Sequence, residues 1–367
     1  MFRFKRFTSG TLSTIIYRVK SSILGAKIMK VTATAPTRVD LAGGTLDLWP
    51  IHNLLPKRAT VNVAVSLNAT ATVELTGTKR FHFKSIDQNM EDFGTFEEIL
   101  CSSKSRLMAL LLQSVWNKDL PAVSITTAAT SPAGAGLGGS SCLAVTILKA
   151  LWGAKAEIQK TSHEPNEEGL VRCAQDVESV VIHAPTGVQD YWGAVRGGLN
   201  ILNYKFGETL VETMPATHWE TAGFKILCCY SGKSRASAIN NWEIFKRIFD
   251  GDTALLKNMM EIGEVSLQCA DALRSKNWEG VLSASGVEWS LRKKLWPAVE
   301  TSETKKIDIA TKNAGAHFSR VCGAGGGGVM AVFAPKERVA NVISAMADAG
   351  GTYLDVTVGA PGLRVIA

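Results

Sequence analysis

The segment PAGAGLGGSS, Pro132 to Ser141, runs without a break into the apolar stretch CLAVTILKALWG at 142–153. A backbone this rich in glycine can fold tightly with several N–H groups turned inward, and the helix that follows adds the positive end of its dipole. A loop of this kind is a cradle for phosphate, and the Ser140 hydroxyl can reach a magnesium ion held by the phosphates. The plainer alternative for this string alone is a glycine-rich helix entrance with no ligand.

Two other phosphate loops have to be weighed. Gly134, Gly136 and Gly139 satisfy G-x-G-x-x-G, but a dinucleotide fold needs a second apolar strand after the helix, ending in an acid about 20 residues on. Residues 155–168 are polar, and Glu157 sits in no strand pattern. Gly232-Lys233-Ser234 supplies the G-K-S of a Walker loop, yet Leu227 stands where the upstream glycine belongs.

Three further segments carry candidate chemistry. CGAGGGG at 322–328 lies between two apolar strands, where consecutive glycines mark either a close backbone approach or a tight bend. Glu178 and Asp190 stand twelve positions apart. Phosphoryl transfer from ATP needs one carboxylate for magnesium and another group to orient and deprotonate the attacking hydroxyl. PTRVDLAGGTLD at 36–47 offers Arg38, a fixed cation, and Asp47, an acceptor suited to sugar hydroxyls. Taken singly, each of these acids is more often a solvated surface residue.

The rest of the chain sets the frame. Period-two alternation puts Val61, Val63, Val65 and Leu67 on one strand face, after a strand at 30–36. Helices are predicted over 103–118, 142–153, 170–181, 253–275 and 280–296, and strands at 122–130 and from Phe224. The reading is an α+β fold of 367 residues in two halves, 29–210 and 211–367, with 46% hydrophobic and 20% charged residues as in globular chains. No stretch approaches the roughly 20 apolar residues of a membrane helix. Seven cysteines without a C-x-x-C pair give no disulfide or zinc framework and point to a reducing cytoplasm. The net charge of +7 resides largely in residues 1–28, which hold six basic residues and no acid, so the remainder carries only +1 and offers no nucleic-acid surface. That basic extension reads as sequence upstream of a start at Met29, a targeting segment being the alternative.

Together these motifs resemble the GHMP kinase superfamily, over about residues 30–367. The first motif is PTRVDLAGGTLD, the second PAGAGLGGSS and the third CGAGGGGVM. The A-G-G-T-x-D form, GVQDY at 187–191, YSGKSR at 230–235 and EWSLRKKL at 288–295 are most similar to the D-glycero-D-manno-heptose 7-phosphate kinase and fucokinase branch. Three positions depart from the family pattern. Gly139 replaces the first serine of the usual pair, Val188 replaces lysine, and Tyr191 stands where the heptose kinases have glutamine. The galactokinase G-E-H-x-D form is missing, since Gly44, Thr45 and Leu46 occupy that stretch.

The resemblance implies an N-terminal domain with a left-handed βαβ crossover and a ferredoxin-like C-terminal domain. It makes Asp190 the catalytic base and Arg38 its electrostatic partner. The nucleotide would bind at Pro132, Gly134, Ala135, Gly136, Leu137, Gly138, Gly139, Ser140 and Ser141, with magnesium on Ser140 and Glu178. Substrate contacts would come from Asp47, Gly43, Gly44, Gly187, Arg235, Gly325 and Gly326. The expected cofactors are ATP and Mg2+, and the expected partner is a small-molecule sugar or sugar phosphate, with a homodimer as an option and neither nucleic acid nor membrane involved. The leading expectation is a kinase of an anomeric hydroxyl, D-glycero-D-manno-heptose 7-phosphate first. A fucokinase- or galactokinase-like enzyme of a free sugar, a non-catalytic ATP- or sugar-sensing homologue and, distantly, a dinucleotide oxidoreductase remain as alternatives.

Overall fold

Two long strands organise the first half: β1 (Lys30–Ala42) and β2 (Ala59–Leu75) pair antiparallel from Lys30↔Glu74 to Ala42↔Val61. A computed structural model describes residues 29–162, 164–233 and 237–366. The basic extension 1–28 and the substrate candidate Arg235 therefore lie outside the described residues. The register of β1 on β2 shifts between Pro36 and Thr37 and again between Asp40 and Ala42. Such irregularities re-aim side chains, and here they flank Arg38 and Asp40, which share one face of β1 at i and i+2.

The sheet continues through β3 (Phe81–Ser85), β4 (Met90–Gly94) and β5 (Val123–Ala129) in the order β1-β2-β5-β3-β4, with β3 parallel to β5. Beyond the helices, β6 (Leu199–Lys205) pairs with β2 and β7 (Glu208–Met214) with β6. The hairpin thus carries the first sheet four residues past the border expected at 210. The helix Gly139–Gln159 packs on β1 and β2 with Ala144, Val145, Ile147, Leu148 and Leu151 buried. Each of Val145, Ile147, Leu148 and Leu151 contributes about 1.5–3 kcal/mol when taken out of water. This helix starts three residues before the sequence pattern indicated, because Gly138, with φ of +74°, turns the chain into it directly from the loop.

In the second half β8 (Phe224–Tyr230), β9 (Phe318–Val321), β10 (Val329–Pro335) and β11 (Thr352–Leu354) form an antiparallel sheet in the order β11-β8-β10-β9. With the helices between β8 and β9 and the helix Val339–Asp348 before β11, this is a βαββαβ arrangement of ferredoxin-like type. The final strand β12 (Arg364–Ile366) returns to the first sheet beside β1. Val61, Val63, Val65 and Leu67 do share a face, and they meet Phe224, Ile226, Cys228 and Phe333 of the second half in one apolar cluster. The halves are thus joined by a continuous core.

The helices Ser237–Phe249 and Ser302–Asn313 were not foreseen from the sequence pattern. The second of them buries only Thr304, Ile307 and Thr311, too thin a stripe to stand out among polar residues. All seven cysteines are free, as their spacing suggested.

Candidate active site

A cleft of about 280 Å³ lies where the phosphate-type loop, the end of β1, the turn 185–190 and the 322–328 loop converge. Gly134, Gly136 and Gly138 all have φ near +70°, which an L side chain adopts only with strain, so the sequence of alternate glycines dictates this loop. Its residues Pro132, Gly134, Ala135, Gly136, Gly138, Gly139, Ser140 and Ser141 all line the cleft. Leu137 does not. Its side chain is fully buried in the core between the halves, and its carbonyl accepts from Arg38 N–H at 3.1 Å.

Arg38 and Asp190 meet at the loop. Arg38 Nε donates to Asp190 Oδ1 at 2.7 Å, its Nη2 donates to the same oxygen, and its Nη1 donates to the Gly136 carbonyl at 2.9 Å. Burial works against the Arg38 charge, but Asp190 and Asp40 outweigh it and raise the guanidinium further, so it stays charged. A Cβ on Gly138 would fall 3.1 Å from Asp190 Oδ2, so that oxygen faces the loop where the helix Gly139–Gln159 begins. Asp190 itself sits in the first turn of the helix Gln189–Arg196.

Glu178 projects from the helix Glu167–Ile182, whose start is capped by Asn166 accepting from Gly169 N–H at 2.8 Å. It is buried. Its Oε2 accepts from Ser141 Oγ at 2.7 Å and from Tyr191 OH at 2.5 Å. Burial pushes the Glu178 carboxyl up, and the hydroxyls of Ser140, Tyr191 and Ser141 offset part of that push. Tyr191, in place of the family's glutamine, is thus a second-carboxylate holder that sequence reading had marked only as a departure. Among the described residues there is no group of three side chains of metal-binding type. One carboxylate and one serine hydroxyl are hard oxygen donors that suit a magnesium ion held mainly by phosphates and water, so Ser140 and Glu178 fit the ion the sequence implied.

Asp47 also lines the cleft, against the turn 185–190. Its Oδ2 accepts from Gln189 N–H at 3.1 Å, and a Cβ on Gly187 would overlap the same oxygen at 1.8 Å, so only glycine fits there. Burial, then the negative charge of Asp190, pushes Asp47 up to about 6. The unfolded chain releases this proton near pH 4, whereas the folded chain keeps it until about pH 6. The group therefore costs stability progressively as pH rises through that window, up to about 3 kcal/mol above it. Asp47→Asn is expected to be more stable than wild type at pH 7, with the gap closing toward pH 4. Thermal unfolding of both proteins from pH 4 to 7.5 checks this, and a pH-independent difference would contradict it.

The remaining substrate candidates fall elsewhere. Gly43 N–H donates to Glu288 Oε1 at 3.1 Å, and a Cβ on Gly44 would strike the Arg292 guanidinium at 2.0 Å, so both pack against the helix Trp278–Arg292. Gly325 and Gly326 lie against Val299, the latter donating to its carbonyl at 2.7 Å. The part of that loop on the cleft is Gly323 and Ala324. Lys233, of the Gly232-Lys233-Ser234 segment, forms an ion pair with Glu303 at 2.7 Å.

A buried ion cluster behind the cleft escaped sequence reasoning. Asp40 accepts from Arg320 Nη2 at 2.8 Å, from Arg292 Nη1 and from Gly323 N–H at 3.2 Å, with Arg38 Nη1 at 3.8 Å. Glu288 pairs with Arg320 at 2.9 Å, and Arg292 Nη2 donates to Thr45 Oγ1 at 3.2 Å. Burial alone would raise the Asp40 carboxyl, but Arg320, Arg292 and Arg38 hold it far below the usual carboxylate range. Asp40 belongs to the first half and Arg292, Arg320 and Glu288 to the second, so one carboxylate fastens the second half beside Arg38. Through it Gly323 is seated on the phosphate-type loop, where its Cβ would meet the Gly136 carbonyl at 2.6 Å.

The family model "GHMP kinases N terminal domain" matches residues 104–198, and "GHMP kinases C terminal" matches 269–352. The chain is 24% identical over 348 residues to D-glycero-alpha-D-manno-heptose 7-phosphate kinase of Campylobacter jejuni, covering 92% of this chain and 99% of that one. It is also 24% identical over 355 residues to mevalonate kinase of Pyrococcus furiosus, covering 92% and 98%. The crystal structure of a D-glycero-D-manno-heptose 1-phosphate kinase from Bacteriodes thetaiotaomicron superposes with a TM-score of 0.70 at 20% identity, over 92% of this chain and 99% of that one.

Proposed function

We propose, for a chain that belongs to the GHMP kinase superfamily and is a phosphotransferase acting on an alcohol, that ATP with magnesium is the donor and a sugar or sugar phosphate the acceptor. The hydroxyl attacked is the anomeric one, and D-glycero-D-manno-heptose 7-phosphate is the first candidate. The observation that carries this reading is the Arg38–Asp190 pair set against the start of the phosphate-loop helix.

In this reading the backbone N–H groups of the glycine loop and the helix start at Gly139 hold the nucleotide phosphates. Ser140 and Glu178 would hold a magnesium ion, which when bound would supply positive charge to the transferring phosphoryl group. Asp190 Oδ2 takes the proton of the attacking hydroxyl as the new oxygen–phosphorus bond forms and the bond to ADP breaks. Arg38 fixes Asp190 through Oδ1 and leaves Oδ2 turned to the loop. Asp47 accepts from other hydroxyls of the acceptor. Both acids being in place favours activity over a sensing role.

The charge pairing of the wall bears on the acceptor. Arg38 is engaged by Asp190 and Arg292 by Asp40, while Asp47 and Asp190 border the cleft. A carboxylate acceptor such as mevalonate would meet two acids there, whereas a sugar's hydroxyls meet groups that can accept from them. The same pairing favours a free sugar as the second reading, since both cations on the cleft wall among the described residues are already taken. ATP consumption with heptose 7-phosphate, L-fucose, D-galactose and mevalonate tests the assignment. Turnover is expected with a sugar and not with mevalonate, and the reverse would overturn the sugar reading while leaving a kinase. Among the described residues the cysteines are free and no helix is long and apolar enough to cross a membrane.

A further inference from the structure

We infer that the Gln189 carboxamide binds an acceptor hydroxyl other than the one attacked, and so sets the preference for a polyol acceptor. This rests on the sugar-kinase reading above. Gln189 is the first residue of the helix that carries Asp190, is 5% exposed and borders the cleft between Asp47 and Asp190. Its backbone is already committed, the N–H to Asp47 Oδ2 at 3.1 Å and the carbonyl to Asn62 Nδ2 at 3.2 Å. Its side-chain Oε1 is buried with no hydrogen-bond partner among the described residues.

A buried acceptor without a donor weakens the ligand-free protein, and native chains seldom keep one without use. Other orphaned atoms, such as Thr37 Oγ1 and Asn258 Oδ1, are not on the cleft wall; Gln189 Oε1 is the one that belongs to a cleft residue. What it lacks is an O–H or N–H donor. A sugar brings several hydroxyls near the one that reacts, and Gln189 lies one residue from the base on the same cleft, so a turn of its buried carboxamide toward the cleft brings Oε1 to a donor on the same small molecule. Thr45, Asp47 and Arg292 border the same cleft, which gives the acceptor a polar bed with Gln189 beside the reacting end.

Removing the amide separates this role from packing. In Gln189→Leu, steady-state kinetics with whichever of heptose 7-phosphate, L-fucose or D-galactose the wild type phosphorylates should show the acceptor KM raised at least tenfold. The ATP KM should stay within twofold, and the Tm of the ligand-free protein should equal or exceed that of wild type, since an orphaned polar atom has been deleted. A residue that only packs the helix start would show a lowered Tm with an unchanged acceptor KM. Should the leucine variant fail to fold, Gln189→Met makes the same measurement with an unbranched side chain. An acceptor KM within twofold of wild type in either folded variant overturns the proposal. Wild-type inactivity on all three sugars overturns the reading beneath it, and is seen before any variant is made.

Discussion

Asp190→Asn is expected to lower turnover by roughly 10²–10⁴-fold, the range for losing a general base, while ATP and acceptor affinities change little. The asparagine keeps an oxygen for Arg38 Nε, so the geometry that places the side chain against Gly138 survives. What disappears is the capacity of the second atom, the one facing the loop, to take a proton. A loss confined to kcat identifies an interaction made on the way to the transition state, whereas a raised KM alone would mean a binding role. Turnover within threefold of wild type would remove Asp190 from the chemistry.

The second large effect is on stability. Asp40→Asn leaves the guanidiniums of Arg292 and Arg320 facing a neutral amide in a dry interior, with Glu288 the remaining acid of the cluster. Breaking a buried pair in this way costs about 3–5 kcal/mol, a large share of the 5–15 kcal/mol typical of a folded domain. Urea unfolding should show a markedly lower midpoint. Asp40→Asn combined with Arg292→Met should recover part of the loss, because Asp40 is the acid partner of Arg292, whereas Arg320 keeps Glu288, so the second change removes the unpaired cation and fills its space. A single-variant loss below 1 kcal/mol would mean that water reaches the cluster.

These two residues mark the boundary of what the sequence discloses. The glycine loop was legible because positive-φ backbone is written in glycines at fixed spacing, and Gly134, Gly136 and Gly138 adopt it as their pattern implies. Arg38, Asp190, Glu178 and Asp47 were legible through motif spacing, and all four line one cleft. Asp40 was not, since an acid in a strand reads as a solvent-facing position when its partners lie 252 and 280 residues away. Glu288 and Arg292 were quoted in EWSLR only as a branch signature. Four residues apart on a helix, they read as an exposed surface pair, and only the tertiary arrangement turns both inward.

The glycines at 322–328 show the opposite error. Their density suggested a ligand, and Gly325 and Gly326 were assigned to substrate. In the structure Gly325 makes room for Val299, Gly326 donates its N–H to the Val299 carbonyl, and Gly327 makes room for the Lys233 backbone and Gly328 for the Ala135 carbonyl. The signal of close approach was real, but most of what approaches is the protein's own chain.

The Asp40 cluster also bears on how such a chain can change over generations. Its carboxylate is encoded near one end of the gene and its guanidiniums near the other, so an exchange that joins the first half of this protein to the second half of a relative would bring together charges chosen for different partners. Unless that relative supplied cations at the places of Arg292 and Arg320, the hybrid would inherit a buried, unmatched acid at the seam. The two halves are therefore expected to be inherited as one unit, with substitutions at these positions travelling together.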